Sequence, residues 1–144
     1  CAVRAFTLMR SFFLGGTFLH DFAKEKEFTF SQLGLVTEYS VKGQLLGHLV
    51  MGAQEVAAVA SELGIPEDKS VLLQHMILSH HGEPEFGAAV KPICAESELL
   101  SQIDMLDSRM EIYRETLAGL QVGEVSSRIF ALDKRVFKPH ELNG

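Results

Sequence analysis

The chain is short of cysteine, short of basic residues and without a long apolar run, and each shortage narrows what it can do. Cys1 and Cys94 are its only cysteines. Two are too few for a disulfide framework or a thiolate zinc site, so both are expected to remain reduced thiols. Lys and Arg number 13 against 19 Asp and Glu, a formal net charge of −6. That sign argues against broad non-specific binding to nucleic acid, although bound divalent cations would offset carboxylates locally. The apolar segment Phe12–Leu19 is too short to span a membrane and is interrupted by Gly15-Gly16. No basic start followed by a small-residue cleavage site marks a secretory signal, so a cytoplasmic protein is expected. Internal repeats, low-complexity segments and strand-rich regions are also lacking. What is left is one all-α domain over residues 1–144, long enough for a workable core at 47% hydrophobic and 22% charged residues.

Helical periodicity fills most of the chain. A first helix over about residues 3–20 carries an apolar stripe of Val3, Phe6, Met9, Phe13, Phe18 and Leu19, with Gly15-Gly16 allowing close approach of a neighbour. From Asp21 to Tyr39 the period breaks down, which predicts a long loop of the kind that often carries function. Ser40 is a fair N-cap for a second helix over 41–63, whose inward face is Leu45, Leu46, Leu49, Val50, Ala53, Val56, Ala57, Ala60 and Leu63. Gly64 closes it, and Ile65-Pro66-Glu67 opens a third helix to Ser79 with Val71, Leu72, Met76 and Leu78 inward. Gly82, Pro84 and Gly87 predict a loop over 81–91. A fourth helix over 95–118 is expected to bury Leu99, Leu100, Ile103, Leu106, Met110 and Tyr113 and to end at Gly119. The stretch 125–137 reads equally as a short helix or a hairpin.

Into this scaffold are set six metal-competent side chains. His20-Asp21 closes the first apolar run, and Lys24 follows three residues later. A neutral imidazole suits divalent transition metals, and a carboxylate can bridge two of them. Asp104 borders the buried stripe of the fourth helix, where a carboxylate needs either a metal or an ion pair with a basic residue of another helix. His48 follows Gly47, and alone would read as a histidine at the edge of the core. His80-His81 precedes Gly82, and alone would read as a C-terminal pair favoured by the helix dipole. Their shared placement at helix ends and inward faces is what these separate readings do not explain. Asp107, one turn on, reads either as a group that caps or orients a ligand or as a solvated helix acid. Asp107 and Glu111 also read as braces for nearby Arg side chains, and His75 and His140 read as structural or surface residues. Lys24 is placed either to neutralise an oxygen of a metal-held phosphate or to be solvated. The basic tail Arg128, Lys134, Arg135 and Lys138 is either a phosphate contact or a solvated face.

Several segments carry a resemblance. Leu19-His20-Asp21-Phe22-Ala23-Lys24, Gly47-His48, Ile77-Leu78-Ser79-His80-His81-Gly82 and Ile103-Asp104-Met105-Leu106-Asp107 together resemble the HD superfamily of metal-dependent phosphohydrolases. The segments 37–48, 75–82 and 128–133 are similar to those of the YhaM-type 3′→5′ exoribonucleases. The resemblance implies an HD-domain helical bundle. It implies His20, Asp21 and Asp104 as metal ligands, His48 and His80 as the extra histidines of dinuclear members, and His81 as a further ligand. Lys24 matches the lysine of the HD-x-x-K variant. The activity implied is phosphodiester hydrolysis of single-stranded RNA or DNA from the 3′ end, with two divalent ions bridged by Asp21 and Lys24 on the phosphate. Manganese is the first expectation, with cobalt, iron, zinc or magnesium also compatible. Two departures stand out: no histidine precedes His20, and the upstream OB-fold of the family is absent. Both fit a chain lacking its first helix or helices. An HD-type phosphohydrolase acting on a small nucleotide and a non-catalytic regulatory module are the alternatives. The sequence leaves open RNA against DNA and whether copies form a homo-oligomer.

Overall fold

Residues 9–140 are described by the computed structural model; the expected start of the first helix, with Val3 and Phe6, and Cys1 lie outside them. The chain forms two units, residues 1–102 and 103–144. The secondary structure is mostly helical.

The first unit opens with helix α1, Arg10–Leu19. Gly16 is buried on it, and a methyl group there would overlap the side chain of Met76. The absence of that methyl is what lets α1 lie against α4, Glu67–Ser79. Helix α3, Val41–Glu62, packs most extensively on α4. Between them Leu49, Met51, Ala53, Val56, Ala60, Met76 and Ile77 form the core, and Leu100 adds to it from α5, Ala95–Ala118. The Ser40 hydroxyl accepts the Gly43 N–H at 2.9 Å, the cap expected for α3. Gly64, at φ 65°, ends the segment as expected.

Residues 21–39 are not the loop that the missing helical period predicts. They form a short helix α2, Lys24–Glu27, and an antiparallel hairpin of β1, Phe28–Phe30, and β2, Val36–Tyr39. The pairs Phe28–Tyr39 and Thr29–Glu38 set its register, and the Phe28 and Tyr39 rings meet at 4.8 Å, tilted by 57°. Every residue of β2 is exposed. With neither face of that strand buried, no in-and-out alternation is written into the sequence, and the strand signal is lost.

Burial departs from the predicted stripes on all four long helices. On α1, Phe18 is exposed, and Leu45, Leu46 and Leu63 of the α3 segment are exposed. The cause at Leu45 is Gly47, whose φ of 69° and ψ of 159° break the helical phase, so the first turn does not share the inward face of residues 48–60. On α4, Val71 is exposed, and the inward face is Ser70, Met76, Ile77 and Ser79, followed by the cap residue His80. That face is partly polar because it leads into the site described below. On α5, burial ends at Ser101; Ile103, Leu106 and Met110 are exposed. Periodicity marks one face of a helix but not the length over which a neighbour covers it.

In the second unit, the ambiguous stretch 125–137 is a hairpin. Isolated bridges Val125–Phe137 and Ile129–Lys134 close around a 3-10 turn at Phe130–Leu132, with Leu132 and Val136 buried. Among the described residues no helix is long and apolar enough to cross a membrane.

Candidate metal centre

Each histidine of the cluster is held by its own element. His20 is the C-cap of α1, its N–H closing on the Gly16 carbonyl at 2.8 Å. His48 follows the Gly47 kink in α3, and His80 is the C-cap of α4, with His81 next to it. The Nδ1 atoms of His20, His48 and His80 each face an oxygen. His20 Nδ1 lies 2.8 Å from the Thr17 carbonyl, His80 Nδ1 lies 2.7 Å from the Ile77 carbonyl, and His48 Nδ1 lies 3.0 Å from Glu27 Oε2. A carbonyl or carboxylate oxygen only accepts, so the hydrogen bonds of His20 and His80 and the close contact of His48 with Glu27 place the proton on Nδ1 in all three rings. In neutral rings of His48 and His80 that leaves an Nε2 lone pair with no hydrogen bond.

These three Nε2 atoms converge on Asp21. His20 Nε2 is 3.4 Å from Oδ2; His48 and His80 Nε2 are 3.4 and 3.5 Å from Oδ1. Asp21 Oδ1, His48 Nε2 and His80 Nε2 are buried and make no hydrogen bond. Buried polar atoms are rarely left in that condition, and here the atoms on both sides are acceptors. A divalent cation satisfies all of them at once, and imidazole with carboxylate is a donor set for manganese, iron, cobalt or zinc. The residues fit such an ion. Two sets of ligand atoms lie within 4.8 Å of one another: His20, Asp21 and His80, and His48, His80 and His81. The rings of His80 and His81 are 4.4 Å apart, edge to face.

Burial pushes the Asp21 carboxyl up, but the neighbouring His20 and His80 rings and the hydrogen bond and charge of Lys24 outweigh it and hold the group below the usual carboxylate range. Lys24 Nζ donates to Oδ2 at 2.7 Å from the half-exposed rim.

Of the residues singled out in the sequence, His20, Asp21, Lys24, His48, His80 and His81 are brought together in the first unit. Asp104 is half-buried on the part of α5 that belongs to the second unit. His75 takes the structural role expected of it: its Nε2 accepts the Ile93 N–H at 3.1 Å and lies 3.2 Å from the buried Ser97 hydroxyl, and burial lowers its pKa. In the basic tail Arg128 pairs with Asp133, Lys134 stands over the Tyr113 ring, and Lys138 donates to the Leu117 and Leu120 carbonyls at 2.8 Å each. Glu111 braces Arg114 as expected. Glu27 is a residue that the sequence does not reveal. It sits in Lys24-Glu25-Lys26-Glu27, an alternation that reads as a solvated face, yet it is buried against His48. Nothing in the pattern separates it from the exposed Glu25.

The chain is similar over 91% of its length to curated relatives named 3′-5′ exoribonuclease YhaM. The identity is 39% over 133 residues for the protein of Oceanobacillus iheyensis, 42% over 132 for that of Bacillus licheniformis and 40% over 132 for that of Bacillus subtilis. In sequence the chain is thus YhaM-like, and the relatives' name is that of a hydrolytic enzyme. It spans 41% of the length of each of these three. No family model matches the chain, and no solved structure matches it.

Proposed function

We propose that this chain is the hydrolytic module of a metal-dependent 3′→5′ exoribonuclease, an HD-type phosphodiesterase acting inside the cell on single-stranded RNA or DNA. The observation that carries the proposal is the convergence of the His20, His48 and His80 Nε2 atoms on the two oxygens of a half-buried Asp21. Similarity to the YhaM proteins supports the class of substrate. When bound, divalent metals at such a site supply an activated water and neutralise charge on the phosphate; manganese is the first choice.

The chain's own residues have defined parts. Asp21 presents Oδ1 toward His48 and His80 and Oδ2 toward His20 and Lys24, the disposition of a carboxylate shared between two ions. His20 would serve one ion, His48 and His81 the other, and His80 belongs to both sets. Lys24 stands at the rim, where its ammonium would neutralise a non-bridging phosphate oxygen as charge builds in the transition state. The part proposed for Asp104 as a further ligand rests on the resemblance alone.

Asp21→Ala is expected to reduce manganese-dependent release of mononucleotides from a 3′ end to background, in this chain or in the longer protein that contains it. Full retained hydrolysis in Asp21→Ala would refute the assignment. Asp104→Ala, assayed alongside, decides the part of Asp104 by the number of manganese ions bound per chain.

A further inference from the structure

We infer that Glu27 is a positioning residue of this centre: one buried carboxylate sets the tautomer of His48 and caps the helical run that begins at His48. The inference rests on the metal-centre reading for its consequence, though not for its geometry. Glu27 is 6% exposed and makes two contacts with one residue. Its Oε1 accepts the backbone N–H of His48 at 3.0 Å, and its Oε2 lies 3.0 Å from His48 Nδ1.

Each contact answers a local problem. Gly47 interrupts α3 with a positive φ, so the helix restarts at residue 48 inside the protein. A helix start leaves N–H groups to be satisfied, and a carboxylate there also faces the positive end of the dipole. Glu27 Oε1 supplies that acceptor. A buried carboxylate with neutral partners alone would be costly. The cost falls if His48 carries a cation on Nε2, because the carboxylate then lies opposite the charge across the ring. Carboxylate, histidine and metal in line is a recurrent arrangement that fixes the ring and raises its basicity.

The backbone holds Glu27 at this place. The Ser40 N–H donates to the Glu27 carbonyl at 2.8 Å, and the Ser40 hydroxyl donates to the Lys26 carbonyl at 2.8 Å. A side chain at buried Gly43 would run into the Glu27 backbone, so glycine is required for this approach. Lys26 reaches both oxygens of Glu55 on α3 at 2.6 Å. The short helix α2 is thereby fastened to both sides of the kink, and Glu27 is directed at His48.

The test uses the metal-free protein first. Nitrogen-15 NMR of the imidazoles should find the His48 proton on Nδ1 in the wild type and moved at least partly to Nε2 in Glu27→Ala. Manganese titration by calorimetry should then show affinity weakened about 10–100-fold in Glu27→Ala, the range seen when such partners are removed. Glu27→Gln keeps one acceptor oxygen and the side-chain volume, and should fall between the two. If Glu27→Ala does not fold, Glu27→Gln carries the measurement. An unchanged His48 tautomer with unchanged manganese affinity overturns the inference. A wild-type protein that binds no manganese overturns the metal-centre reading, while the tautomer still decides the role of Glu27.

Discussion

The polar groups of the two units are used in opposite ways. In the second unit several charged residues have partners within the unit: Glu111 with Arg114, Arg128 with Asp133, Lys138 with the Leu117 and Leu120 carbonyls. The Glu111–Arg114 and Arg128–Asp133 pairs are exposed, where water would serve nearly as well. Around Asp21 the pairing is incomplete in one direction only. The outer nitrogen of each of three rings faces an oxygen, while Asp21 Oδ1 and the inner nitrogens of His48 and His80 are buried with no hydrogen bond. A fold tolerates such a group of buried acceptors only if something else binds there. The difference teaches that the informative quantity is the direction in which polar groups are left open, rather than how many there are.

The contrast can be broken by experiment. If the Asp21 cluster is a metal centre, manganese at about 100 times its dissociation constant should stabilise the protein by about 2.7 kcal/mol. For a chain of this size that raises the thermal midpoint by roughly 5–10 °C, and Asp21→Ala should show no rise. Scanning calorimetry with and without the ion reads both. A next effect separates scaffold from centre. Gly16→Leu would force a side chain into the space of Met76 and should lower stability by about 1–3 kcal/mol through overpacking. Denaturant unfolding of the metal-free protein measures it, and His48 should keep its tautomer in the folded fraction. The smallest effect belongs to the second unit. Lys138→Met removes the donor to two carbonyls near the end of α5 and should cost about 1 kcal/mol, with no change in manganese affinity. A loss of manganese binding in Lys138→Met would erase the distinction between the two units.

Much of the scaffold was legible in the chain. Ser40, Gly64, Pro66 and Gly119 punctuate the long helices, and the observed bounds Val41–Glu62, Glu67–Ser79 and Ala95–Ala118 follow them closely. Capping and breaking act within a few residues, so a linear reading finds them. The hairpin at 28–39 was missed because an exposed strand has no alternation to read. The inward face of α3 was misjudged at Leu45 because a single glycine at positive φ resets the phase of everything after it.

For the site, the residue types and their neighbours identified His20, Asp21, Lys24, His48, His80 and His81 as candidates, because imidazole and carboxylate carry their chemistry wherever the chain places them. The helices and their ends were set in the same way by local propensity. Only the tertiary structure decided that three Nε2 atoms point at one carboxylate, that their Nδ1 atoms are each engaged, and that Glu27 is buried where Glu25 is exposed. Those are matters of direction and burial. The meeting of His48 and His80 with Asp21, and of Glu27 with His48, joins residues more than 20 positions apart, and nothing in the local order of side chains encodes it.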